Sequence, residues 1–391
     1  MKIIYALILG DIGGGGGSNN AVLSIIDNML QRTDVEPFVV FRRGTEGSFT
    51  RWLEEKGVRY ELIDGIFFRV WPKVSCFRDL LAFPYRVFDR LVFGHHKAVK
   101  KMREIIRREK PDIVHVNNST LYYGIKAADK EKVASLWHIR EYGDFDFDFY
   151  PTKHSYIKML QKHFTVSISD DIAEHFGLTE NNKHFVVYDG VMSSKNTFYR
   201  KDKKDYFLFV GRVTENKGVT EMLKAFAQYA ERNFEGELWI AGRIPEQDYE
   251  QRIKKFVKEH RIENRVRFLG FRSDRYELMQ QARALIVPSL FEGFGFITVE
   301  AMMNGCLVIG RNSSGTKMIM DAVDGAALPY DSVDGMATRM YEVMRHKSAF
   351  YEEMILKAQQ LATAKYSTEK NGDEIYNIYK KLLIKWKKLD F

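Results

Sequence analysis

The sequence predicts an α/β protein built from two doubly wound parallel-sheet domains. Three observations carry that reading. Short apolar runs of strand length alternate with segments of helical periodicity through both halves of the chain, as expected when each strand is followed by a crossover helix. A polar, irregular stretch from Met192 to Asp205 interrupts the alternation, and a fresh strand-like run begins just beyond it. The chain has 391 residues, of which 45% are hydrophobic, enough for two cores of ordinary size.

In the first half a strand over Ile3 to Leu9 runs into glycines and then a helix from about Asn19 to Gln31. Strand Phe38 to Phe41 and helix Phe49 to Lys56 follow, then strands Asp112 to Val116, Val133 to Trp137 and Thr165 to Ile168. Helix Ser169 to Phe176 and strand His184 to Tyr188 close this half. The second series reads as strand Tyr206 to Val210, helix Thr220 to Glu231, strand Glu237 to Ala241 and helix Asp248 to His260. It continues with strand Val266 to Leu269, helix Asp274 to Ala282 and a buried strand, Leu285 to Ser289, that ends in a polar loop.

Composition narrows the class. The charged fraction of 29% is ordinary for a soluble protein, and no run approaches the roughly 18 apolar residues of a membrane span. Met1 to Gly10 reads as a first strand and not as a signal peptide, because it lacks a basic n-region and runs into glycines. Cys76 and Cys306 stand far apart without metal-ligand spacing, which argues against a disulfide framework or structural zinc and fits a cytoplasmic setting. The net charge of +8 favours an anionic partner. Basic residues interleave with aromatics over Phe67 to Lys110 and again over Tyr379 to Lys388. Such stretches suit an anionic membrane surface, although packing of one face into a core explains many of them. No recognition motif points to nucleic acid.

The run Glu292-Gly-Phe-Gly-Phe-Ile-Thr-Val-Glu300 carries the most chemistry. It follows a strand, contains a glycine turn and leads into a helix. A helix start offers unpaired N–H groups and roughly half a positive charge to an anion, while Glu292 and Glu300 can accept hydrogen bonds from sugar or ribose hydroxyls. Gly293, Phe294, Gly295 and Phe296 form the turn between them. Gly211-Arg212 through Lys217-Gly218 opens the second series after its first strand and sets two cations at the same sheet edge, where ligands of open α/β sheets bind. Arg212 can fork onto a phosphate and Lys217 can act as a point charge.

In the first half, Gly13 to Gly17 and Ser18 lie between a strand and a helix, and Gly14, Gly15 and Gly16 would let the backbone approach phosphate oxygens. The same run, with Arg42 and Arg43 after the second strand, partly matches a dinucleotide fingerprint, but its third glycine is replaced and the second half would be left unexplained. His115 and His138 end strands, with Arg140 and Glu141 just beyond, and His138 is the stronger candidate for contact with a reacting group. Asp144, Asp146 and Asp148 alternate with phenylalanine, a pattern equally suited to metal chelation or to a half-buried edge.

In this order the motifs resemble the retaining family 4 glycosyltransferases of the two-domain GT-B fold. The likeness runs through Lys110-Pro-Asp-Ile-Val-His115, Tyr188-Asp-Gly190, Val210-Gly-Arg-Val213, Lys217-Gly218, Phe268-Leu-Gly270 and Val287 to Met302. It continues through Asn304 to Ile309 and Asp324-Gly325 to Tyr366-Ser367. The resemblance implies two Rossmann-like β/α/β domains facing across a cleft, over 1–192 and 193–372, with a C-terminal helix from about 373 to 391 crossing back to the first. It further implies transfer of a sugar from a nucleoside diphosphate sugar, by default a UDP-sugar, to a hydroxyl acceptor on a glycan or lipid-linked molecule. The expected setting is cell-surface polysaccharide or glycolipid synthesis, in the cytoplasm or peripherally at the inner face of the cell membrane. Arg212 and Lys217 would hold the diphosphate, Glu300 the ribose, and Glu292 with the backbone after it the donor sugar. The glycines would approach the phosphates, and His138 would lie near the reacting centre. No metal or cofactor is implied.

Three positions depart from the family pattern: Asp189 where Asn is common, Met318 where Glu is common, and a glycine turn reduced to Gly242-Arg243. They leave open a catalytically idle module of the same fold that binds an anionic glycan or membrane as a partner subunit. A glycosidase using Glu292 and Glu300 as acid and nucleophile is a further reading, but it gives the cationic loop no task.

Overall fold

The computed structural model describes residues 1–8, 17–44, 47–64, 71, 72, 74, 76–88, 93–143, 148, 149, 152–179, 183–232 and 235–389. The chain divides into two compact units, Met1–Gly190 with Thr368–Phe391, and Val191–Ser367. Each is a parallel sheet covered by helices.

The first unit holds β1 (Lys2–Ala6), β2 (Glu36–Arg42), β3 (Arg59–Ile63), β4 (Ile113–Val116), β5 (Ala134–Ile139), β6 (Phe164–Ser167) and β7 (His184–Val186). Their order is β3-β2-β1-β4-β5-β6-β7. The second holds β8 (Lys204–Val210), β9 (Glu237–Ala241), β10 (Val266–Gly270), β11 (Ala282–Val287), β12 (Val308–Arg311) and β13 (Leu328–Tyr330), in the order β10-β9-β8-β11-β12-β13. The two halves thus repeat one winding scheme, with the connections reversing direction between β1 and β4 in the first sheet and between β8 and β11 in the second.

Central strands such as β1, β4 and β5 are buried on both faces, which is why their sequences read as continuous apolar runs. The edge strand β3 has no such signature. Its Arg59-Tyr60-Glu61-Leu62-Ile63 is largely half-exposed and escapes a reading based on apolar runs. Two expected boundaries shift. The first strand ends at Ala6 rather than Leu9, although the Leu7 amide still donates to the Val40 carbonyl. β8 starts at Lys204, inside the stretch read as linker, because the exposed Lys204 and Asp205 belong to the strand and Lys204 pairs in register with Ala282 of β11.

The C-terminal helix Thr368–Leu389 belongs to the first unit. It starts five residues before the expected Asp373 and carries Gly372 inside it. A Cβ at Gly372 would lie 2.1 Å from Cγ of Asn28, so glycine here permits close approach to the helix Gly17–Leu30. The apolar face of the tail, read from sequence as a possible lipid face, is occupied: Ile375, Ile378, Tyr379 and Leu382 join the core of the first unit. Among the described residues no helix is long and apolar enough to cross a membrane.

Candidate functional site

In a doubly wound sheet the ligand position lies beyond the carboxyl ends of the strands at which the winding reverses. In the second unit those are β8 and β11, and the two segments singled out from the sequence leave from them. Beyond β8, a short turn at Glu215–Lys217 ends in Gly218, whose φ of 70° is left-handed. A Cβ on Gly218 would stand 2.0 Å from the Pro288 carbonyl oxygen, so the loop can seat against the end of β11 only with glycine there. The Leu290 amide donates to the Asn216 carbonyl at 3.3 Å. This seating brings Lys217 Nζ to 2.5 Å from Glu292 Oε1. Arg212 is exposed and makes no hydrogen bond or ion pair among the described residues.

The loop after β11 is clamped by a second helix start. The Glu292 amide donates to Ser314 Oγ at 3.0 Å, and the Gly315 amide donates to the Glu292 carbonyl at 2.9 Å. A Cβ on Gly315 would come within 2.6 Å of the Phe294 backbone. Gly295, with φ of 97°, turns the chain into the helix Phe296–Met303. Phe294 is buried, with ring centroids 5.0 Å from Phe296 and 5.7 Å from Tyr366, while a side chain at Gly293 would meet open space. The apolar residues of the run therefore anchor the loop, and the helices Phe296–Met303 and Ser314–Ala322 both begin beside Glu292.

Glu300, on the first of these helices, is held by a residue pair the sequence did not bring forward. Arg275 forks onto it, Nη2 to Oε1 at 3.0 Å and Nε to Oε2 at 3.1 Å, and the Tyr276 hydroxyl lies 3.3 Å from Oε1. Burial, reinforced by the Glu300 charge, pushes the Tyr276 phenol up to about 12, so it stays a donor. Oε1 accepts from both Arg275 and Tyr276, whereas Oε2 accepts from Arg275 alone and keeps a second lone pair for a ligand hydroxyl. Glu292 and Glu300 are each paired to a cation.

The first unit gathers the histidines. Tyr5 on β1 lies opposite His115 on β4, and His138 on β5 sits two residues beyond Leu136, the partner of His115. All three therefore share one face of the sheet. His115 Nδ1 is 2.6 Å from the Tyr379 hydroxyl, and His115 Nε2 is 3.1 Å from His138 Nδ1. The Arg140 guanidinium also reaches His138 Nδ1, at 3.3 Å. A guanidinium only donates, so His138 Nδ1 accepts, His115 Nε2 donates to it, and the Tyr379 hydroxyl donates to His115 Nδ1. His138 then carries its proton on Nε2, a fully buried atom with no partner among the described residues. Burial lowers His138 well below the usual imidazole range and His115 to about 3, with the Arg140 charge adding to both, so the two rings are neutral.

Arg140 is itself buried, donates from Nε to Asn117 Oδ1 at 2.7 Å, and forms an ion pair with Asp189. Burial raises the Asp189 carboxyl and Arg140 pulls it back only in part. Glu141 accepts from the Ser119 amide at 3.1 Å and from its hydroxyl at 2.5 Å. Gly14, Gly15 and Gly16, and Asp144 and Asp146 of the alternating run, lie outside the described residues. Arg43 is engaged on the surface with Asp64 at 2.8 Å.

Residues 193–361 match the family model described as glycosyl transferases group 1. The match covers most of the second unit. Curated relatives are similar in sequence. An uncharacterized glycosyltransferase, MJ1607, of Methanocaldococcus jannaschii is 27% identical over 55% of this chain and 58% of its own length. The N-acetyl-alpha-D-glucosaminyl L-malate synthase of Bacillus anthracis is 24% identical over 86% of this chain and 92% of its own. The chain thus spans little more than half the length of the first of these relatives. In fold, the crystal structure of Anabaena Alr3699/HepE in complex with UDP matches with a TM-score of 0.76 over 97% of this chain and 99% of that one, at 17% identity. The same protein is matched in complex with UDP-glucose at a TM-score of 0.72. The chain has the GT-B fold of these structures.

Within the matched segment, the reduced glycine turn at Gly242-Arg243 has a steric reason. A Cβ at Gly242 would fall 1.7 Å from the Gly211 carbonyl oxygen, so one glycine is kept at the point where the loop after β9 meets the loop after β8. Met318 is half-buried on the helix Ser314–Ala322, and no feature around it accounts for a methionine where Glu is common. Of the residues missed from sequence, Ser314 and Gly315 had a signal in the small-residue cluster Ser313-Ser314-Gly315-Thr316, whereas Arg275 and Tyr276 had none.

Proposed function

We propose that this chain is a retaining glycosyltransferase that moves a sugar from a nucleoside diphosphate sugar, with UDP the favoured nucleotide, to a hydroxyl acceptor. The observation that carries it is the convergence of Arg212, Lys217, Glu292 and two helix starts beyond the carboxyl ends of β8 and β11. Breaking the bond between sugar and diphosphate builds negative charge on the leaving phosphate and positive charge on the ring. The cations and helix N-termini stabilise the first; carboxylates and hydroxyl acceptors orient the second. Lys217 is paired with Glu292. On donor binding Lys217 turns to the diphosphate and frees Glu292 to accept from a sugar hydroxyl, while Glu300, held by Arg275, accepts from the ribose. His138 offers Nε2–H to a sugar oxygen, and Gly14, Gly15 and Gly16 are further donor-binding residues in this reading.

The UDP complex of the Anabaena protein and the sugar-transferring names of the curated relatives support this reading. Charge stabilisation by Arg212 and Lys217 makes the reaction metal-independent. The acceptor is a glycan or lipid-linked glycan in cell-surface polysaccharide or glycolipid synthesis, which would bring the chain to the inner face of the cell membrane as a peripheral protein. The domains that act are 1–192 with the C-terminal helix, and 193–372.

Thermal melting with UDP, GDP and ADP, each in EDTA, tests the proposal. A ligand that binds only the folded state at about 100 times its Kd adds about 2.7 kcal/mol of stability. The expected result is a rise with UDP that survives EDTA. Arg212→Ala and Lys217→Ala, both outside the core, are expected to keep the melting temperature of the free protein, lose the UDP shift, and lower sugar transfer by about 100-fold or more. An absent shift with all three nucleotides would instead support the idle module, and full turnover in both variants would overturn the assignment of the cations.

A further inference from the structure

Helix Phe77–Val87 in the first unit inverts the usual arrangement of an amphipathic helix: none of its residues is buried. Phe77, Leu80, Leu81, Tyr85 and, just past the end, Phe88 recur at helical spacing and fall on one stripe, yet they are 54% to 74% exposed. Half of the large exposed hydrophobic residues among those described lie between Val74 and Phe93. Phe88 lies against Phe93, with ring centroids 6.0 Å apart, and Lys97 Nζ stands 5.0 Å over the Phe93 ring. Burying an apolar stripe is what drives such helices to pack, so a stripe left in water marks an interaction surface.

The charge around it says what covers it. Arg78 is exposed without a hydrogen-bond or ion-pair partner among the described residues, and so is Lys100, one turn beyond Lys97 on the helix Gly94–Glu109. Asp79 is occupied by Arg86 at 2.8 Å, so the acidic residue of the helix is neutralised. Aromatic and aliphatic side chains rimmed by unpaired cations complement a bilayer with anionic headgroups, apolar groups entering the acyl boundary while lysine and arginine stay among the phosphates. We infer that helix Phe77–Val87, with Phe88, Phe93 and Lys97, seats this protein on an anionic membrane surface. The inference rests on this face alone and not on the transfer reaction.

Sedimentation with vesicles, without nucleotide, tests it. The full chain is expected to pellet with phosphatidylcholine vesicles carrying about one third phosphatidylglycerol, much less with phosphatidylcholine alone, and less again as salt rises. Leu80→Glu combined with Leu81→Glu puts charge on an exposed stripe, and is expected to cut partitioning about tenfold or more while leaving the melting temperature and its UDP shift unchanged. The exposed Cys76, beside a chain whose other cysteine is buried, accepts an environment-sensitive fluorophore. Its emission should shift to the blue on the anionic vesicles. No partitioning, or equal partitioning by the double variant, overturns the inference. So does a concentration-dependent dimer that the double variant abolishes without any vesicle binding, because a second copy would then be the occupant.

Discussion

The histidines show how much a single donor can decide. Arg140 can only donate, and its contact with His138 Nδ1 sets the direction of every hydrogen bond from there to Tyr379. His138 is therefore arranged to give a hydrogen bond from Nε2 and is not placed to act as a base. The same burial has a pH signature. Both rings are neutral in the folded state, while the unfolded chain protonates them below about pH 6.5. A folded pKa below the unfolded one means that the unfolded state binds more protons through the window, so stability rises with pH and is lost as pH falls from about 6.5 towards about 3 for His115. Each histidine adds a slope of about 1.4 kcal/mol per pH unit at its steepest. Urea unfolding followed by tryptophan fluorescence, at pH 7, 6 and 5, should show His115→Asn with a visibly shallower acid loss than the parent chain. Parallel slopes would mean that His115 is not held neutral. The sequence placed His115 and His138 at strand ends, because apolar runs mark strands. It did not show that they touch, since Tyr379 lies 264 residues from His115 and Arg140 acts through space. Asp189, a departure when set against the family pattern, has a local reason in the structure: it gives the buried Arg140 its counter-ion, and a buried charge without one is strongly destabilising.

At the scale of elements, the loops after β8 and β11 are shaped by contacts that glycine alone permits. Gly218 presses on Pro288, Gly242 on Gly211, and Gly315 on Phe294. Each sits where one loop crosses another, so together they fix the position of Lys217 relative to Glu292. Gly218→Ala makes the argument testable. It introduces a side chain at a left-handed residue, which costs about 1–2 kcal/mol, and sets that carbon 2.0 Å from a carbonyl oxygen that must then move. Calorimetry should show a lower melting temperature, and added UDP should restore little of it because the displaced loop carries Lys217. A variant that melts and binds UDP like the parent would show that the loop packing tolerates the shift. Strands buried on both faces were legible from their apolar runs, as was the turn into helix Phe296–Met303 from its glycine. The half-exposed β3 was not, and neither was the Arg275 fork on Glu300, because a surface arginine at a helix start carries no pattern that singles out its partner.

The two units differ in how the chain builds them. The second is one continuous segment, Val191–Ser367, and its core draws on residues from Phe207 to Ile355 without a contribution from either end of the chain. The first is closed by the C-terminal helix, which supplies Ile375, Ile378, Tyr379 and Leu382 to a core otherwise built before Gly190. The sequence has a polar break near residue 192, and the helical periodicity of its tail does not name the surface the tail meets. The asymmetry predicts that the halves will not behave alike when separated. The fragment 191–367 has its own core, the segment that matches the glycosyl transferase model and both candidate loops, so it should unfold cooperatively and bind UDP. The fragment 1–190 lacks the helix that fills its core and completes the Tyr379–His115 contact, and should be expanded with poorly protected amides until a peptide of residues 368–391 is added. Amide hydrogen exchange on the two fragments decides the matter. Strong protection of β8 and β11 in the first, and weak protection of β4 and β5 in the second that the peptide restores, is the expected pattern. An unprotected 191–367 would mean that the continuous segment is not a folding unit despite its own core.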